Sequence, residues 1–266
     1  VMDTDSYPDL DGTTETGIVN ALQGSIEVLS ASASNFVFDG TLNIGVGQMF
    51  RSSAWGLINE GVVNLTNGTV EVPDFSQNAQ LNVSAGGTSR LESPTIEFRW
   101  GSTSAVDDDL EVVGDTGIFA GAVLSGSGRL VVPAGSLLTL LDGAAVEIEI
   151  ENNGQMSVGS SPGAATIEAL TQTGDGQLGI ELAGTVLGIG YDHLDVINTA
   201  TLAGTLDINL TDGFYPAQGD KFSILTAGMR NGEFDAIDGI QVAADLTLAP
   251  LYDYEDLIGL ILIAAL

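Results

Sequence analysis

Carboxylates are the only reactive side chains this sequence carries in quantity. Thirty-six Asp and Glu stand against six Lys and Arg, with one histidine and no cysteine. Clustered carboxylates bind hard cations, and paired ones do acid and base chemistry. Two clusters have loop-like spacing: Asp3, Asp5, Asp9 and Asp11 within residues 3–12, and Asp107, Asp108 and Asp109 after Gly101-Ser102-Thr103-Ser104. Their oxygen ligands suit calcium, so calcium is the one cofactor these seven residues point to; nothing else in the chain requires one. The first cluster lacks the central Asp-Gly and the terminal bidentate Glu of an EF-hand.

The other acidic motif is Glu147, Glu149 and Glu151, which alternation puts on one strand face. Polysaccharide lyases and hydrolases use acidic rows of this kind, and lyases also need a basic residue. Here the cations are Arg51, Arg90, Arg99, Arg129, Lys221 and Arg230, and only Arg90 and Arg99 lie close together in sequence. The row therefore reads as a solvated acidic face. His193 stands alone, and alternation turns it outward with Asp195 while Leu194 and Val196 turn inward, which is a structural placement. No P-loop or zinc spacing occurs, and an enzyme is not expected.

The elements that would hold these residues are strands. The chain has 266 residues, 35 of them glycine, 44% hydrophobic content and positive mean hydropathy. That composition excludes an acidic disordered tail and fits many short strands joined by tight turns. A net charge of −30 excludes nucleic acid and anionic lipid as partners, since both need a basic surface. Period-two alternation is clear in Thr41–Val46, Val146–Ile150 and Leu206–Leu210. A Gly followed by apolar-x-apolar recurs from Gly40, Gly61, Gly68, Gly128, Gly154, Gly176 and Gly204, and an 11-residue rhythm joins Gly143, Gly154, Ala165 and Gly176. Two such steps make about one rung of a solenoid, roughly 20–25 residues. Stacked rungs would supply the core that no single rung can bury. An antiparallel β-sandwich is the rival arrangement of the same short strands.

The C-terminal third carries a family likeness. Ser160-Ser161-Pro162-Gly163 is followed by Gly174–Leu182, Tyr191-Asp192-His193-Leu194-Asp195-Val196 and Ala200–Leu206. Phe214–Leu225, with Pro216 and Gly219-Asp220, and then Gly232-Glu233-Phe234 complete the series. In order and spacing, about residues 159–234 resemble the tail of bacterial autotransporter passenger domains and related surface β-helix proteins. The resemblance implies an all-β, right-handed parallel β-helix (β-solenoid), with room at the ends for a β-sandwich-like or irregular section. It implies a secreted, often adhesive protein at a bacterial cell surface. It departs from that pattern in having no outer-membrane barrel after Leu266, as expected of a released passenger or a relative exported another way. The expected layout is an acidic leader over 1–17, solenoid repeats over 18–158 and the passenger-like tail over 159–266.

Four Asn-x-Ser/Thr triplets, at Asn64, Asn67, Asn82 and Asn209, follow from an Asn- and Thr-rich strand composition. Phe36, Phe38, Trp55, Trp100, Tyr252 and Tyr254 do not cluster and are expected in core or turn packing. Val1-Met2-Asp3 opens with neither a basic nor an apolar signal region, and the apolar run from Leu257 to Leu266 is too short to span a membrane as a helix. Within that run Leu257, Ile258, Leu260, Ile261, Leu262 and Ile263 form a β-prone, uncharged end with no polar cap. Terminal strands of this kind pair between subunits, so self-association into a fibre is expected. The functional expectation is a structural or adhesive surface protein, with surface glycans as the other partner class. A β-helix protein that binds or degrades polysaccharide is the alternative.

Overall fold

A computed structural model describes residues 18–21, 25–28, 36–52, 56–159, 162–253 and 259–265. The described residues form strands and turns with no helix, and the coils, about seven turns in all, make the fold a β-solenoid. The β-sandwich rival is set aside by the pairing, which is parallel in every coil. Alternation is the reason these segments are strands. Leu42 and Ile44 are buried while Thr41 and Asn43 between them face outward, and Leu206 and Ile208 repeat the pattern. Each fully buried aliphatic side chain contributes roughly 1.5–3 kcal/mol.

The chain divides into two compact units, Val1–Gly117 with Gly121–Val131, and Ile118–Ala120 with Val132–Leu266. In unit 1 one register column runs Ile18, Thr41, Val62, Gln80, Thr103, Val123. The solenoid thus includes the strands from Ile18 onward. A rung takes 21 residues from Thr41 to Val62 and 18 from Val62 to Gln80. Beside that column the inward residues are Leu42, Val63, Leu81, Ser104 and Leu124. All five are almost fully buried, Ser104 included.

In unit 2 the matching column is Leu137, Gln155, Gln177, Thr205, Ala236. Strands on either side of residues 159–163 pair in parallel with one another, Gln155–Val158 with Gln177–Leu182 and Ala145–Asn152 with Ala164–Gln172. Rungs lengthen toward the C-terminus: 22 residues separate Gln155 from Gln177, and 31 separate Thr205 from Ala236. The extra residues leave the coil as loops, including the tight excursion between Leu182 and Tyr191.

The last strands change direction. The strand Lys221–Gly232 is parallel to His193–Leu202 over Leu225–Gly232, and antiparallel to Gly259–Ala265 over Lys221–Thr226. Gly259–Ala265 is also antiparallel to Leu246–Tyr252, which forms a hairpin with Gln241–Ala243. The terminal strand is therefore not the open edge that its sequence suggests. Both of its edges are hydrogen-bonded within the chain, and Leu260 and Leu262 are fully buried, with Ile261 nearly so. Ile263 is half-buried opposite Lys221, and Leu257 and Ile258 lie outside the described residues.

Candidate functional site

Two of the acidic residues nominated for calcium, Asp108 and Asp109, have protein partners. Asp108 Oδ2 accepts from the Gly86 and Gly87 amides, each at 3.0 Å, and its Oδ1 accepts from the Asp109 amide at 2.9 Å. Those bonds to the charged form hold its carboxyl below the usual range. Asp109 takes a forked contact from Arg129, Nε to Oδ1 at 3.0 Å and Nη2 to Oδ2 at 2.8 Å. Asp107 is exposed, and among the described residues no three His, Asp or Glu are grouped to hold a metal. Asp3, Asp5, Asp9 and Asp11 lie outside the described residues. In the Glu147–Glu151 row, Glu149 accepts from the Thr171 hydroxyl at 2.6 Å and Glu151 from the Asn153 amide at 3.1 Å.

Three of the four arginines of unit 1, Arg51, Arg90 and Arg129, bridge neighbouring coils. Arg51 bonds Glu71 at 2.5 Å, and Arg90 reaches Glu92 at 3.1 Å and Glu111 at 2.7 Å. Arg99 pairs with Glu97. In unit 2 Arg230 forks onto Asp253, and its guanidinium lies 4.8 Å from the centre of the Tyr252 ring. Trp100 departs from the expected core packing, since it is 80% exposed on a turn. Phe38 is buried as expected, whereas Trp55 and Tyr254 lie outside the described residues.

Two buried asparagines make the same device in different units. Asn59 Nδ2 donates to Gln77 Oε1 and to the Gln80 carbonyl, both at 2.8 Å, and its Oδ1 accepts from the Gly61 amide at 3.1 Å. Asn152 Nδ2 donates to Gln172 Oε1 at 3.2 Å and to the Gln177 carbonyl at 3.0 Å, and its Oδ1 accepts from the Gly154 amide at 3.2 Å. Both asparagines are fully buried. At a corner the chain leaves the ladder, so backbone groups lose their strand partners and a side-chain amide replaces them. The glycine two residues on is required by the close stack: a Cβ on Gly61 would lie 2.2 Å from the Gly40 carbonyl oxygen. This is the physical content of the recurring Gly before apolar-x-apolar. Asn-x-Gly at a strand end, with Gln one rung later, was the signal available in the sequence for these corners.

A further polar constellation is Tyr191-Asp192-His193, at the entry to the strand His193–Leu202. Asp192 is 1% exposed, and its carboxylate accepts from the Gly163 and Glu181 amides, each at 2.7 Å. Burial pushes its pKa up to about 6, against the lowering effect of those two bonds. Tyr191 is buried edge-on to Phe222 at 5.4 Å, and Phe214 meets Phe222 in the same way at 6.1 Å. The Ser223 amide donates to the Tyr191 hydroxyl, and His193 Nδ1 contacts the Ser223 carbonyl oxygen at 2.7 Å. Ser223 of the Lys221–Gly232 strand is thus held at both its amide and its carbonyl. It sits where the register against Gly259–Ala265 shifts, between Ser223 and Leu225. His193 is half-buried beside inward Leu194 and Val196, as alternation requires.

Gly159-Ser160-Ser161-Pro162-Gly163 has the Gly-x-Ser-x-Gly spacing of a nucleophile elbow, which is built as a strand–turn–helix. Here it joins two strands, Gln155–Val158 and Ala164–Gln172, and the Gly163 amide is bonded to Asp192. Ser160 and Ser161 lie outside the described residues. The His193 ring is turned to the following coil, to Ser223 and Thr226.

Fold and constellations together define a β-solenoid whose coils are held by polar side chains at corners, at Arg–acid contacts and at one clamp. No protein-family model matches the chain, and no curated protein matches its sequence.

Proposed function

We propose that this chain is a secreted structural or adhesive protein of a bacterial cell surface, autotransporter passenger-like over about residues 159–234. One observation carries the reading: the polar residues that could do chemistry are engaged in holding coils together. Asp192 and Asp108 hold backbone amides, Asp109 and Glu111 hold arginines, and His193 holds a carbonyl of the next coil. A site shaped for turnover would aim such groups at a shared space for substrate. Repetitive coils with a strongly acidic surface supply a repeated, well-hydrated display surface instead. Self-association fits the same reading, through coil faces and not through Gly259–Ala265, because a second copy would have to displace a strand already paired there.

Trp100 favours a second reading, polysaccharide binding, because an exposed indole on a turn offers a stacking face to a sugar ring. The test is to apply the full-length chain to a panel of bacterial and host polysaccharides, with calcium and with chelator. Filaments or surface binding without product are expected. Release of new reducing ends or unsaturated sugars would overturn the non-enzymatic reading. Binding lost in Trp100→Ala alone would favour the second.

A further inference from the structure

We propose that one sheet face of unit 1 binds an uncharged polysaccharide, an inference that deepens the polysaccharide reading of Trp100 and rests on it. The face is built from the strands Thr41–Ile44, Val62–Leu65, Gln80–Val83 and Thr103–Val106, with Val123–Ser125 beside them, stacked in parallel register. In a chain of net charge −30, none of these five segments holds an Asp, Glu, Lys or Arg. Elsewhere in unit 1 the coil surface is charged, through the pairs Arg51–Glu71, Arg90–Glu111 and Arg99–Glu97. The neutral face is therefore a local feature and not the general character of the surface.

What the face carries instead is a ladder of amides. Asn64 Nδ2 donates to Asn43 Oδ1 at 2.6 Å, and Asn82 Nδ2 donates to Asn64 Oδ1 at 2.7 Å. Gln80 Nε2 donates to Asn82 Oδ1 at 3.0 Å. A primary amide has two N–H donors and two acceptor lone pairs, so the ladder leaves one of each on Asn64 unused. Sugar hydroxyls need donors and acceptors together, whereas a carboxylate only accepts and a guanidinium only donates. Because the ladder already fixes the amide planes, a bound polymer has little side-chain freedom to remove. From Asn43 to Asn82 the ladder covers two coil steps, about 10 Å at the usual strand spacing, which suits a length of polymer more than a single ring.

Trp100 stands at the corner that leads into Thr103. Its indole is 80% exposed, yet one edge is seated on the next coil: a Cβ on Gly121 would lie 2.3 Å from the indole Cδ1 and 2.6 Å from Nε1. The Gly101 amide donates to the Gly121 carbonyl at 3.0 Å, which ties the same turn to that coil. An indole held along one edge and bare elsewhere is a preorganised stacking surface, and the C–H face of a sugar ring is an apolar partner for it. The charge of the whole chain selects among polysaccharides. A polymer bearing uronate or sulfate is repelled by −30, whereas an uncharged one meets a face with no ion to desolvate.

The experiment measures binding of the full chain to immobilised dextran, mannan and xyloglucan, and to polygalacturonate and heparin, by biolayer interferometry at low and high salt. Binding to at least one of the three uncharged polymers, undiminished by salt, is expected. Asn64→Asp and Thr103→Glu should each weaken it at least ~10-fold, because a carboxylate placed there must be desolvated beneath the polymer. Thr103 is exposed, so its variant keeps the test decisive if Asn64→Asp loosens the ladder. Val186→Glu, the same charge on an exposed loop residue of unit 2, should leave binding unchanged, and equal weakening there would overturn the face. If Trp100→Ala abolishes binding while Asn64→Asp and Thr103→Glu retain it, the polysaccharide reading stands and this face is overturned. Binding to the acidic polymers only, or to none, overturns both.

Discussion

Arg90 in unit 1 bonds two glutamates at once, one on its own strand and one on the next coil, while Glu149 in unit 2 stands in register with Ala169 and accepts from a threonine. The units face one problem and answer it differently. Parallel in-register stacking sets each outward residue about 4.8 Å from its equivalent in the next coil, so an acidic sequence risks ladders of like charge. Unit 1 holds four of the six cations and interleaves them with acids. Unit 2 offsets acids against neutral partners: Glu151 with Thr171, Asp195 with Thr226, Glu181 with Asn209. Asp207 opposite Asp238 is the like-charge pair it keeps. The corners, by contrast, are the same in both units. Surface charge can be managed in more than one way because water solvates it, whereas a buried amide or carbonyl must find a partner.

The largest expected effect tests what unit 2 has and the coils of unit 1 lack, its antiparallel end. Phe222→Ala removes the buried ring between Tyr191 and Phe214 and should cost about 3–5 kcal/mol, read by chemical denaturation. An effect under 1 kcal/mol would mean that the ring cluster does not hold this end.

Next in size is the device the units share. Asn59→Ala and Asn152→Ala each strip a buried glutamine side chain, a corner carbonyl and a glycine amide of their partner, and each should cost about 1–3 kcal/mol. Equal losses in the two variants would establish one corner module used twice. A clear inequality would break the comparison.

Asp192→Asn sharpens the contrast between a buried acid and the solvated ones. The wild type should lose stability as pH rises from about 4 through about 6, because the folded pKa is raised and deprotonation opposes burial. The variant should show a flatter profile across that window. Arg230–Asp253 has the opposite sign: the arginine holds the Asp253 carboxyl low, so its contribution fades only as pH falls.

The smallest effects lie on the surface. Arg129→Gln should cost about 0.2–1 kcal/mol at low salt and less at high salt. Asp238→Asn should instead add about 0.2–1 kcal/mol at low salt, by relieving its repulsion from Asp207. Thermal melts at two ionic strengths check both.

Much of the fold is legible because alternation has an unambiguous period. Leu42, Ile44, Ile148 and Leu206 face inward as their spacing says, and the recurring glycines mark coil corners where a Cβ would strike the coil before. Period-two alternation places His193 outward beside inward Leu194 and Val196, but says nothing of what the ring grips. The gripped residue, Ser223, is 30 residues from His193, and no local pattern announces a contact at that separation.

The sequence by itself determined the strands, their inward faces and the acidic surface, since each follows from local spacing and composition, whereas the parallel pairing decided the solenoid over the sandwich. Tertiary structure alone decided which acids are solvated and which are bound. Asp107, Asp108 and Asp109 are identical neighbours in sequence, yet one is exposed, one caps two glycine amides and one is forked by Arg129. It also decided that the apolar run at the end pairs inside the chain. An apolar strand can pair with any complementary edge, and here Gly259–Ala265 finds two within the chain, Lys221–Thr226 and Leu246–Tyr252.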